Sequence, residues 1–147
     1  MPSVTVHPEG AEDLEKYGPI LEVQFLIPLE LEKKYIEEKI PLPEPVIVKA
    51  LIDTGATACI IKKEIPDKLG LKPIGTTTIC TPSSKDHECY KYFMRMLIPS
   101  QGLVYQGPFI SSSLGEQEIG GLIGRDVLKD GILIYIGYAN EFTFSLL

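Results

Sequence analysis

Ile20 to Ile27 reads ILEVQFLI, with Leu21, Val23, Phe25 and Ile27 on one side and Glu22 and Gln24 on the other. That alternation predicts a half-buried strand. The period then changes. In Glu30 to Ile40 (ELEKKYIEEKI), Leu31 and Tyr35 are four apart, as are Ile36 and Ile40, among good helix formers, so a short amphipathic helix is expected. Pro41, Pro43 and Pro45 forbid helix and form a stiff connector into Val46 to Ile52 (VIVKALI), a β-forming core run.

Beyond Asp53 to Ala56, an apolar run at Cys59 to Ile61 leads into Lys62 to Leu69, a helical turn closed by Gly70. Ile74 to Cys80, Cys89 to Ile98 and Leu103 to Ile110 read as strands, the first two as a hairpin, with Pro- and Gly-containing segments between them. Gly120 to Ile123 is short and apolar, and Arg125 to Asp130 makes a turn of helix ended by Gly131. Ile132 to Tyr138 and Glu141 to Leu147 complete the strands. Leu51-Ile52-Asp53-Thr54-Gly55 and Leu122-Ile123-Gly124-Arg125-Asp126 both set a glycine turn after an apolar pair, a faint sign of internal duplication.

The chain has 147 residues, 44% hydrophobic and 23% charged, the balance of one globular domain. Residues 1–18 carry Pro2, Pro8, Gly10 and Gly18 without a sustained period and are expected to be a flexible tail whose deletion is nearly neutral. Residues 19–147 then form one domain, with an acidic strand, helix and proline-rich segment at 19–45. Charge adds an exclusion. Met1 to Pro45 holds ten acidic and four basic residues, and the remainder ten of each, so the net charge of −6 belongs to the N-terminal third. With no Lys/Arg cluster to meet a phosphate backbone, nucleic acid is not an expected partner.

The longest apolar stretch, Gly131 to Ala139, is about half of the ~20 residues that span a bilayer. The first residues, MPSVTVHPEG, contain no apolar signal core, so the expectation is a cytoplasmic protein without a membrane partner. Cys59, Cys80 and Cys89 make neither a C-x-x-C pair nor an even framework, which fits free thiols.

Candidate chemistry centres on Asp53-Thr54-Gly55-Ala56, which leaves a core strand directly, so a rigid element would position the carboxylate. An ionised carboxylate there needs hydrogen bonds, and backbone donors opened by Gly55 supply them. Taken alone the tetrapeptide is equally a turn, because Asp and Gly dominate turns. About seventy residues later stands a second element, Gly121-Leu122-Ile123-Gly124-Arg125-Asp126-Val127-Leu128. Together, ALIDTGA (Ala50 to Ala56), a hairpin, LIGRDVL (Leu122 to Leu128) and a final strand resemble the retropepsin-like aspartyl proteases, the retroviral proteases and their cellular homologues. The resemblance covers about Ile47 to Leu147.

The resemblance implies a mainly β fold, a small closed barrel with one to three short helices, forming a two-fold dimer. It implies an aspartic endopeptidase acting on a peptide or protein substrate, with no cofactor and no metal. Catalysis would fall to Asp53, one from each chain; with a single Asp-Thr-Gly, a two-aspartate site requires two chains to meet. By the same resemblance Thr54 bonds across the dimer axis, Gly55 offers its backbone to substrate, Ala56 leaves room for it, and Gly124 passes beneath the loop. Arg125 begins the short helix. Its acidic partner in many retroviral relatives is replaced here, since Thr57 and Ala58 follow Ala56.

Cys80 to Tyr90 (CTPSSKDHECY) falls where the family has its flap, with Thr81, Pro82, Ser83, Ser84 and Lys85 at the tip and without the usual glycines. An ordinary exposed hairpin is the alternative. Cys80 and Cys89 could face each other across it, whereas the local set with His87 and Asp86 lacks the pattern of a zinc site. Glu141 to Leu147 alternates Phe142, Phe144 and Leu146 with Thr143 and Ser145, which suits either pairing between subunits or an intrachain edge. A second reading keeps the fold as a non-catalytic binding or dimerisation module. A third, the Asp-x-Gly-x-Thr of actin-like ATPases, needs two large lobes that this length cannot supply.

Overall fold

The computed structural model describes residues 2–8, 13–81, 84–99, 102–114 and 118–147, with side chains outside 79–88. β2 (Ile20–Leu26) alternates as its pattern predicts, burying Leu21, Val23 and Phe25. It pairs antiparallel with β3 (Val46–Ile52) over most of its length and with β6 (Ser84–Ile98) at its end. β8 (Gly121–Ile123), β4 (Ile60–Ile61) and β7 (Leu103–Ser111) complete the order β2-β3-β8-β4-β7-β6, and the β2–β6 pairing closes it into a six-stranded barrel. Closure removes the edges of those strands, and each strand turns alternate side chains inward. The filling includes Phe25 edge-on to Phe109 at 5.4 Å between ring centroids, with Met94, Met96 and Ile123 buried around them.

Three helices stand where the periodicity places them. α2 (Leu29–Glu37) follows Pro28, and its first free amide, Leu29 N–H, donates to the Gln106 side chain. Glu32 on α2 pairs with Arg95 of the barrel. α3 (Glu64–Lys68) ends at Gly70, whose φ of +66° is the left-handed conformation that favours glycine. α4 (Arg125–Leu128) directly follows Gly124. β5 (Gly75–Thr81) forms the expected hairpin with β6 and extends beyond the barrel.

The N-terminal segment differs from the expectation of a loose tail. β1 (Ser3–Val6) pairs antiparallel with β10 (Glu141–Leu146), and α1 (Leu14–Tyr17) buries Leu14 to 1% exposure. Ser-Val-Thr-Val alternates over only four residues between flanking prolines, too short a run to carry a sustained period; β1 forms because β10 presents an edge for its backbone. Tertiary pairing thus ordered a segment that local pattern left blank. The C-terminal strand also differs from both of its expected roles. β10 is the centre of a three-stranded sheet, β1-β10-β9, with β9 at Gly131–Ile136, so neither side of it remains for a strand of another subunit. Its Phe142 and Phe144 are wholly buried and join this sheet to the common core.

Candidate functional site

Asp53 is the first residue after β3. β3 and β8 run parallel and in register, Leu51 opposite Leu122 and Ile52 opposite Ile123, and the ladder continues one step as Asp53 N–H donates to the Ile123 carbonyl at 2.9 Å. The two apolar-pair-plus-glycine segments therefore lie side by side. Directly after the apolar pair, the first carries a carboxylate, Asp53, where the second has Gly124.

Asp53 is half-buried, and its Oδ1 accepts from Gly55 N–H at 2.9 Å, an Asx turn that aims the side chain along its own loop. Ala56 N–H donates to the Asp53 carbonyl at 3.1 Å and closes the turn. A Cβ on Gly55 would sit 3.1 Å from that same Oδ1, so glycine leaves the carboxylate its space. Thr54 and Gly55 are exposed.

Gly124 lies buried against the far end of this loop. A Cβ there would fall 2.6 Å from the Ala58 carbonyl carbon and oxygen, contacts with backbone that cannot swing aside. The next amides extend the junction: Arg125 N–H donates to the Ala56 carbonyl at 2.8 Å and Asp126 N–H to that of Thr57 at 3.2 Å. The Arg125 guanidinium donates to the Thr54 carbonyl at 2.7 Å and to Thr57 Oγ1 at 3.1 Å. The missing acidic partner is thus replaced by neutral oxygens, and the arginine still binds the loop.

Two participants were not legible beforehand. Asp126 accepts from Cys59 N–H at 3.2 Å and from the Cys59 thiol at 3.1 Å, while Gly124 N–H donates to Cys59 Sγ at 3.3 Å. Burial pushes the Cys59 thiol well above its ordinary pKa, and the facing Asp126 carboxylate pushes it the same way, so it remains an S–H donor. Thr57 is the other. Its position after Ala56 marked the loss of an ion pair, but no sequence signal identified its hydroxyl as the substitute acceptor.

Asp53, Thr54, Gly55, Ala56, Gly124 and Arg125 are therefore one cluster. The flap candidates stand apart from it, on the β5–β6 hairpin, where the backbone of Thr81 pairs with that of Ser84. Lys85 follows in β6, and Pro82 and Ser83 lie outside the described residues. The register sets Cys89 opposite Thr77, so the two cysteines do not stand across from each other. A recess of about 930 Å³ among the described residues is lined by residues including Lys49, Lys62, Ser112 and Tyr90 and not by Asp53, which stands instead on its half-exposed loop. Among the described residues no three His, Cys, Asp or Glu side chains are grouped to hold a metal ion, and no helix is long and apolar enough to cross a membrane.

No protein-family model matches the chain, and no curated protein sequence does. Solved structures do match. A retropepsin-like aspartic protease from Rickettsia conorii superimposes with a TM-score of 0.55 at 14% identity, over 98% of this chain and 90% of that one. The EIAV protease complexed with the inhibitor HBY-793 gives a TM-score of 0.48 at 16% identity, over 76% of this chain and 86% of that one. The Rickettsia match spans nearly the whole molecule, and the fold of this chain is retropepsin-like.

Proposed function

We propose that the protein is an aspartic endopeptidase whose site is completed by a second copy, with Asp53 of each copy as the catalytic pair. The observation that carries this reading is the placement of Asp53. It is a half-buried carboxylate at the end of a barrel strand, held by Gly55 and braced by the Gly124–Arg125 turn, within a retropepsin-like fold.

The chemistry follows from proximity. Two carboxylates about 3 Å apart cannot both ionise, so the pair retains one proton near working pH. The ionised Asp53 takes a proton from a bound water as it attacks the peptide carbonyl, and the protonated Asp53 of the other copy donates to the carbonyl oxygen. Collapse of the tetrahedral intermediate, with a proton passed to the leaving amine, breaks the C–N bond. Thr54 bonds across the dimer axis in this reading, Gly55 offers its backbone to an extended peptide or protein segment, and Ala56 keeps that approach open. Arg125 and Gly124 hold the loop in place, and the β5–β6 hairpin closes over substrate and excludes water.

The test compares wild type with Asp53→Asn on a diverse peptide library from mildly acidic to neutral pH, with products mapped by mass spectrometry. Asparagine keeps the shape and loses the shared proton. Cleavage by wild type alone is the expected result; cleavage by both proteins would assign the activity to another group, and cleavage by neither would favour a binding module.

A further inference from the structure

The recess of about 930 Å³ runs beside β3 upstream of Asp53, and four successive residues of that strand, Val46, Ile47, Val48 and Lys49, line it. Successive side chains of a strand point to opposite faces, so a cavity that touches all four follows the strand's edge. The hydrogen bonds identify which edge. β8 pairs with β3 only at Ala50, Leu51 and Ile52, and just upstream the Lys49 carbonyl accepts from Gly120 N–H at 2.7 Å. Alternation along the strand turns the N–H and C=O of Ile47 to the same side as that carbonyl, and no described residue pairs with them there. Gly120 forms the floor between two walls: its carbonyl accepts from Lys62 N–H at 3.1 Å, which joins β3 to the end of β4. A Cβ on Gly120 would lie 2.7 Å from Val48 Cβ, so the floor takes no side chain. The second wall is basic. Lys62, Lys63 and Lys68 stand on it, from the end of β4 through α3, and with Lys49 they are four of the chain's fourteen Lys and Arg residues. Three glutamates also line the recess: Glu22, opposite Lys49 in the β2–β3 register, Glu64 and Glu118. The local balance is positive in a chain of net charge −6. Lys63 and Lys68 are exposed, and neither meets a carboxylate among the described residues.

We propose that this recess is an exosite that holds an extended, acidic segment of the protein substrate away from the bond that is cut. The guest segment adds to β3 at Ile47, in the place that β8 takes further along the same strand, and its backbone meets the N–H and C=O of Ile47. Its side chains then alternate between the two faces of β3, where Ile47, 58% exposed, and the half-buried Val46 and Val48 offer apolar contact. Acidic side chains on the guest meet Lys62, Lys63 and Lys68, and charge complementarity of this kind selects the partner and speeds its arrival. The choice of a substrate as occupant rests on the proposed endopeptidase reading, and continuity with that site favours it. Lys49 and Asp53 are four residues apart along one strand, roughly 13 Å at the rise of a β-strand. Cys89 and Tyr90, in the β6 arm of the hairpin that would close over substrate, line the recess as well. One polypeptide can therefore lie against β3 and reach the Asp53 loop within a few residues.

Fluorescence anisotropy with a labelled alternating Glu-Val decapeptide, against a Ser-Val decapeptide as the neutral control, tests this on wild type, Asp53→Asn and the double variant Lys63→Glu/Lys68→Glu. Both lysines are exposed, so their substitution leaves the core intact; retained far-UV circular dichroism verifies the fold. The expected result is that the acidic peptide binds wild type and Asp53→Asn alike and more tightly than the neutral one. The double variant should bind it about tenfold or more weakly, and added salt should weaken binding to wild type. Amide exchange of wild type, followed by NMR, should show the Ile47 N–H slowed about tenfold or more by saturating Glu-Val peptide. Failure of the acidic peptide to bind, equal binding by the double variant, or an Ile47 amide that exchanges as before would each overturn the inference. The cleavage assay separates it from the endopeptidase reading. A cleaved library peptide extended with Glu-Val repeats should show a lower KM at unchanged kcat on wild type, a gain that the double variant loses. Cleavage indifferent to the extension would keep the enzyme and overturn the exosite, whereas peptide binding as described without any cleavage would keep the groove and remove the enzyme.

Discussion

The junction around Asp53 and the terminal sheet β1-β10-β9 bring together residues far apart in sequence by different means. At the junction, two loops some seventy residues apart are held by directional bonds: Arg125 to Thr54 and Thr57, Asp126 to Cys59, and the amides of Gly124 and Arg125 to the opposite loop. In the terminal sheet, the first described strand and the last are held by a backbone ladder over the buried rings of Phe142 and Phe144. Polar bonds of this kind fix position to a fraction of an ångström and contribute little net stability each, whereas buried rings contribute much stability and little direction. Damage to the sheet should therefore appear mainly as lost stability, and damage to the junction mainly as lost placement of Asp53.

The largest effect should come from deleting residues 1–18, which removes β1 from β10 and Leu14 from the core. Urea unfolding should show a loss of about 5 kcal/mol or more, and an unchanged midpoint would show that this sheet lies outside the cooperative core. Phe144→Ala, next in size, leaves a cavity beneath the same sheet and should cost about 3–5 kcal/mol. Gly124→Ala sharpens the contrast from the other side. Its Cβ meets Ala58 backbone, so about 2–3 kcal/mol should be lost and cleavage should fall further than stability alone accounts for.

Asp126→Ala leaves the Cys59 thiol and amide without their acceptor and should cost about 1–2 kcal/mol by the same unfolding measurement. The smallest change is a gain. Thr57→Asp sets a carboxylate beside the exposed Arg125 and should add about 0.5 kcal/mol at low salt, fading as salt rises. A salt-independent gain would mean that the new side chain acts by hydrogen bonding rather than by charge.

Local pattern alone determined most of the barrel. Alternation located β2, β-forming runs located β3 and β7, four-residue spacing located α2, and Gly70 marked the end of α3, because each signal reports the burial or backbone conformation of its own residues. Asp53-Thr54-Gly55 and Gly121 to Leu128 also announced themselves as a pair, since both motifs place glycines where backbones must approach closely. What only the tertiary structure decided was pairing between distant segments. Nothing in Ser3 to Val6 says that β10 will be its neighbour, nothing in Cys59 and Asp126 says that thiol and carboxylate will meet, and nothing in Thr57 says that its hydroxyl will take an arginine in place of an acid. Strand partners and polar contacts depend on which edges and donors the rest of the fold leaves unoccupied, a condition of the whole chain that no stretch of it contains.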